Sequence, residues 1–65
     1  MKTEMIRKKV EAAGVPMAYI LRAVGYRNAG TMWRQLEAGT ISIGKAARLF
    51  RILGLSRQEI NDISA

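Results

Sequence analysis

The sequence predicts an all-α fold, and three observations predict it. Glycines at 14, 25, 39 and 54 each follow a segment of helix-spaced apolar residues. That is where a helix C-cap favours a residue tolerant of the left-handed conformation. No segment sustains the two-residue alternation of a half-buried strand. Apolar residues make up 49% of the 65-residue chain, enough for one small core, although a chain this short buries only about 60% of its unfolded surface. The glycines divide the chain into five short candidate helices within a single domain, residues 1–65.

Helix one is expected from about Glu4 to Ala13, with Thr3 as N-cap, Glu4 favourable in the first turn, and Ile6, Val10 and Ala13 on one face. Helix two is expected from Pro16, which suits a first helical position, to Val24; Met17, Ile20, Leu21 and Val24 form its stripe. Asn28 is the expected N-cap of helix three. At about 100° per residue, Ala29, Trp33 and Leu36 fall on its buried side and Thr31, Arg34, Gln35 and Ala38 on the other. Trp33 therefore reads as core, and Met32 as a gap-filler at the edge. Helix four is expected to begin near Ser42 and to end before Gly54, with Ile43, Ala46, Ala47, Phe50 and Leu53 inward. Helix five carries a capping box, Ser56 with Glu59, and a hydrophobic staple, Leu55 with Ile60; Ile63 continues its face.

The net charge is +6, unevenly spread. Residues 1–27 hold six bases against two acids, residues 28–54 four against one, and residues 55–65 one against two. A basic body suggests a polyanionic partner, though the same excess would also serve solubility. The chain has no Cys and no His, which removes disulfides, the usual zinc ligands and the commonest general base near neutral pH. With no nucleophile–base pair, metal-ligand spacing or phosphate loop, an enzyme is the least expected class, and neither a cofactor nor a small-molecule ligand is expected. The N-terminus is too charged for a signal peptide and no stretch approaches a membrane span, so the expected compartment is the cytoplasm.

Three phrases carry a family resemblance: "ILRAVGY" (20–26), "WRQLEAG" (33–39) and "AARLFRILGLS" (46–56). Their order resembles the lambda-repressor-like helix-turn-helix family of phage repressors and Cro proteins. There, an apolar helix two ends in Gly plus an apolar residue, here Gly25 and Tyr26, and the recognition helix ends in a pattern matched by Trp33, Leu36, Glu37 and Gly39. The chain departs from the pattern in three places. The region from Gly25 to Glu37 is about two residues longer than the commonest form. Pro16 and Met17 stand where the family often has a phosphate-holding Gln, leaving backbone N–H groups at that helix start. Val10 stands where the family often has an Arg paired with the Glu before the closing glycine, so Lys9 is the nearest substitute partner for Glu37.

The resemblance implies a sequence-specific regulator of transcription that binds double-stranded DNA, acts as a repressor in a phage or mobile-element setting, and reads the major groove with helix three. Arg34 is suited to guanine, Gln35 to adenine, and Thr31 offers a hydroxyl and a methyl. Gly30 would let the backbone approach closely. Arg27 and Asn28, with one or more of Arg22, Lys45 and Arg48, are the expected phosphate contacts; each has ordinary solvation as its alternative. One short reading helix implies a homodimer spanning successive grooves. Its expected surface is C-terminal: Leu49, Ile52, Leu55, Ile60 and Ile63, unless Leu49 and Ile52 instead pack under helices one and five. With nothing expected beyond helix five, control would act through concentration or competition for sites. The main rival is a helix-turn-helix protein-interaction module (antitoxin, anti-repressor or assembly subunit) with weak or no DNA binding. Scattered aromatics disfavour RNA stacking, and mutual burial of the apolar stripes explains them better than a membrane surface does.

Overall fold

The computed structural model describes residues 1–65 and contains five helices and no strand. In order they are α1 (Thr3–Ala13), α2 (Met17–Val24), α3 (Ala29–Ala38), α4 (Ile43–Ile52) and α5 (Arg57–Ser64). All four predicted glycine stops have positive φ. The one after α2 matters most: Gly25, at φ 104°, lets the Tyr26 N–H fold back onto the Leu21 carbonyl at 2.8 Å. A Cβ is strained at such a φ, so glycine is needed there.

Three helix starts carry side-chain caps, those at Asn28 and Ser56 as predicted. Asn28, Ser42 and Ser56 accept from the N–H groups of Thr31, Lys45 and Glu59. The Ser56–Glu59 box is complete, with the Ser56 N–H donating to Glu59 Oε1 at 2.9 Å. Thr3 is not a cap: α1 begins at Thr3 behind Lys2, which makes no side-chain cap. The Lys2 N–H donates to the Ile63 carbonyl at 2.9 Å, so α5 rather than a capping side chain holds the chain entry. Pro16 likewise precedes α2, with φ −59° and ψ 138°, rather than forming its first turn.

The core is nine residues drawn from every helix and the α2–α3 turn: Ile6, Ile20, Val24, Tyr26, Met32, Leu36, Leu49, Phe50 and Ile63. The most extensive helix–helix contact is between α2 and α4. This packing corrects several expectations. Met32 is completely buried, whereas Trp33 is only half-buried, so the inward face of α3 is rotated toward Met32. Leu49 and Ile63 are completely buried within one chain and are unavailable to a dimer surface. Ile52 is half-buried against the same core. Ile43, expected inward, is 90% exposed: it opens α4 two turns before Phe50, where no neighbouring helix covers it. Ala47 is exposed as well.

Lys9 pairs with Glu59, clipping α1 to α5, and this is the single ion pair in the structure. Glu37 is therefore exposed without a partner and Lys9 does not serve it. The Lys9 ammonium, followed by the Ser56 N–H, lowers the Glu59 pKa from its ordinary 4.5 to about 2. A carboxyl group depressed on folding contributes stability that is present above its unfolded pKa and is lost as pH falls through the folded one.

Two outcomes are expected. The melting temperature should fall between about pH 4.5 and pH 2, and Glu59→Gln should flatten that fall while lowering stability at neutral pH. A wild-type profile no steeper than the variant's over that range would deny Glu59 this role. In denaturant titrations Met32→Ala should cost about 2–5 kcal/mol. Trp33→Ala should cost less than the about 3 kcal/mol at the low end for a fully buried Trp; a reversed ranking would contradict the rotation of α3.

Candidate functional site

The outward side of α3 follows from its core side. With Met32 and Leu36 inward, a rotation of about 100° per residue turns Gly30, Arg34, Glu37 and Ala38 outward and leaves Thr31 and Gln35 along one flank. Arg34 is exposed; Thr31 and Gln35 are half-buried. The three expected reading residues therefore share one side of the helix without being equivalent.

Two sets of hydrogen bonds order this side. Asn28 Oδ1 accepts from the Thr31 N–H at 2.8 Å and from the Thr31 hydroxyl at 2.9 Å. The Thr31 oxygen in turn accepts a long bond, 3.4 Å, from Arg34 Nη2. Asn28, Thr31 and Arg34 thus form a row from the cap along the first two turns. In the second set, the Tyr26 hydroxyl donates to Gln35 Oε1 at 2.5 Å. Tyr26 is 9% exposed, and burial raises the pKa of its phenol from the ordinary value. On that ring lies the Lys45 ammonium, 4.3 Å from the centroid.

Lys45 is consequently not a free surface cation. Its stem crosses the turn, with Cε 3.7 Å from where a Cβ on Gly25 would stand. The α2–α3 turn, the flank of α3 and the first turn of α4 are brought together through Tyr26. Arg27 and Asn28 are exposed beside this cluster. Arg22 and Arg48 are exposed on α2 and α4, and no hydrogen bond or ion pair joins them to α3.

Sequence reasoning missed the role of Tyr26. A signal was present, because the residue after a glycine stop commonly makes a hydrophobic contact with its helix, and a buried tyrosine hydroxyl needs a partner. It also missed the guanidinium of Arg7, 4.1 Å from the Trp33 ring centroid. This contact covers the ring that was expected in the core, and it joins α1 to α3 with no local signature.

Of the expected dimer residues, Ile52, Leu55 and Ile60 remain partly accessible. Leu55 and Ile60 line an apolar cleft of about 580 Å³ with Met1, Ile41, Ile43 and Phe50. Ala46, Ala47 and Arg51 complete it, Arg51 being its one charged side chain. Counting about 100° per residue along α4, the stripe through Ile43 and Phe50 points away from Lys45, so cleft and polar row occupy different sides of the molecule. No helix is long and apolar enough to cross a membrane.

Comparison with protein-family models, with curated proteins and with solved structures returns no match.

Proposed function

We propose that the chain is a sequence-specific double-stranded DNA-binding regulator of transcription, a repressor of the lambda-repressor-like helix-turn-helix kind, that reads the major groove with α3. The observation that carries this reading is the ordered polar row Asn28–Thr31–Arg34 on an otherwise uncovered helix side. A major groove accepts an α-helix, and a forked guanidinium such as that of Arg34 matches the two acceptors of guanine. Arg27 and Lys45 flank the row and Asn28 stands at its head, where phosphates would pass. Arg22 and Arg48 add charge at longer range.

Gly30 supports the reading from another direction. Its φ is not positive, and a methyl there would make only an ordinary 3.5 Å contact with Asn28 Oδ1. Glycine inside a helix costs about 1 kcal/mol relative to alanine. Nothing inside the chain calls for that cost, whereas a surface pressed against a base edge would.

The regulator acts as a homodimer. The longest extent of the molecule is 28 Å, while successive major-groove half-sites lie about 34 Å apart, so reading two of them takes two copies. Leu55 and Ile60 in the apolar cleft, with the protruding Ile43 beside it, are a self-complementary pair of features. A two-fold axis would set the Ile43 of each copy against the cleft of the other. The cleft also favours the second reading, a protein-interaction module with weak or no DNA binding, in which another protein fills it.

Selection of bound sequences from random duplex DNA, repeated across salt concentrations, tests the function. A two-fold motif with half-sites about one turn apart is the expected result, with a salt slope that reports the phosphates contacted. Salt-sensitive binding without a motif, or no binding, would reject sequence-specific reading. Gly30→Ala should raise stability by up to about 1 kcal/mol yet weaken binding to the selected site; unchanged affinity would remove α3 from the interface. Ile43→Lys should leave the melting temperature nearly unchanged but convert a dimer to a monomer in sedimentation; a variant that still dimerises would exclude the cleft as the dimer surface.

A further inference from the structure

A glutamine amide reads adenine by accepting from N6 through its oxygen while donating to N7 through its nitrogen. Gln35 is not free to turn for this: its oxygen is held facing the Tyr26 hydroxyl, which donates at 2.5 Å to one of its two lone pairs. The phenol is held in place from three sides: its ring lies in the core, its backbone N–H closes α2 on the Leu21 carbonyl, and the Lys45 ammonium lies against the ring.

The orientation of the amide follows from the same contacts. Gln35 is the one hydrogen-bond partner of the Tyr26 hydroxyl. If the amide were turned, its nitrogen would donate to the phenol oxygen and the phenol proton would lose its one protein acceptor at the edge of the core. A buried donor left unpaired is costly. With the oxygen turned toward Tyr26, the two amide hydrogens of Gln35 are left as its outward-facing groups.

We infer that Tyr26 is a positioning residue that holds the Gln35 amide with its oxygen turned toward the core and its nitrogen leading, so that Gln35 selects guanine rather than adenine. Guanine presents two acceptors in the major groove, N7 and O6, with no donor between them. Adenine presents one acceptor and one donor, and the donor would meet the amide hydrogens. This inference rests on the reading of α3 as a DNA-recognition helix and revises the adenine expected for Gln35 from its residue type alone.

The test compares three proteins in selection from random duplex DNA: wild type, Gln35→Ala and Tyr26→Phe. Competition binding then uses the wild-type site with guanine or adenine at the position that depends on Gln35. Wild type should show one position per half-site where guanine is preferred, and Gln35→Ala should lose that preference alone. Tyr26→Phe keeps the ring and frees the amide oxygen. It should narrow the guanine-to-adenine ratio at that position by about 5-fold or more, within the range that one bidentate pair contributes, and leave other positions unchanged. A general loss of packing would instead weaken all positions together.

Adenine at the Gln35-dependent position in wild type overturns the inference even if Tyr26→Phe fails to fold. So does a motif indifferent to Gln35→Ala, or a guanine preference that Tyr26→Phe leaves intact; in these cases DNA reading by the chain stands. Absence of any wild-type motif removes the DNA reading and the inference with it.

Discussion

Tyr26 closes α2 through its backbone, places its ring in the core, bonds α3 through its hydroxyl and carries the Lys45 stem and ammonium of α4 on its ring. Three helices take their mutual register from this one residue. The arrangement begins with a backbone constraint: the left-handed Gly25 turns the chain so sharply that the next residue falls back under the helix just completed. An aromatic ring there joins the core with the Lys45 ammonium of α4 on its face, and its polar tip is left at the margin, where α3 supplies an acceptor. Without the glycine, the ring would not reach the core and Gln35 would lose its fixed partner.

The remaining helix, α5, is held by a different means. It is short and polar, and a helix of its length is marginal in isolation. Its capping box, the Lys9–Glu59 pair and the bond from the Lys2 N–H to the Ile63 carbonyl tie it to α1, while Ile63 anchors it in the core. The two chain ends thereby stabilise each other at the end of the molecule where electrostatics contribute visibly. The polar row on α3 contains no ion pair, so its one cation, Arg34, keeps its charge for an outside partner.

Placement of function follows from this division. One side of the molecule presents a row of donors and acceptors ordered by Asn28 and Tyr26, with exposed arginines around it. Another presents an apolar cleft with a single charged side chain, Arg51. Both are surfaces rather than enclosed sites, which accords with recognition of a large partner. Because they lie on different sides of the molecule, occupation of one leaves the other open.

Local chemistry was legible in the sequence by itself. Helix stops at the four glycines and the caps at Asn28 and Ser56 depend on neighbours within about one turn, and the basic balance is a count along the chain. Which face of each helix turns inward was decided only by tertiary packing. Met32 and Trp33 are adjacent apolar residues about 100° apart, and either could lead α3 into the core. Contact with α1 left Trp33 at the boundary under Arg7 and sent Met32 inside. On α4 the apolar residues cover well over half of the circumference, from Ile52 through Leu49 and Phe50 to Ile43 and Ala47, so periodicity could not rank Leu49 against Ile43. Packing against α2 and closure by α5 buried Leu49 and Ile63 and left Ile43 outside. The pairing of Tyr26 with Gln35 joins residues nine apart across a turn; it arises only when the fold brings a buried donor to the flank of α3, and that juxtaposition gives the two groups of one glutamine amide different roles.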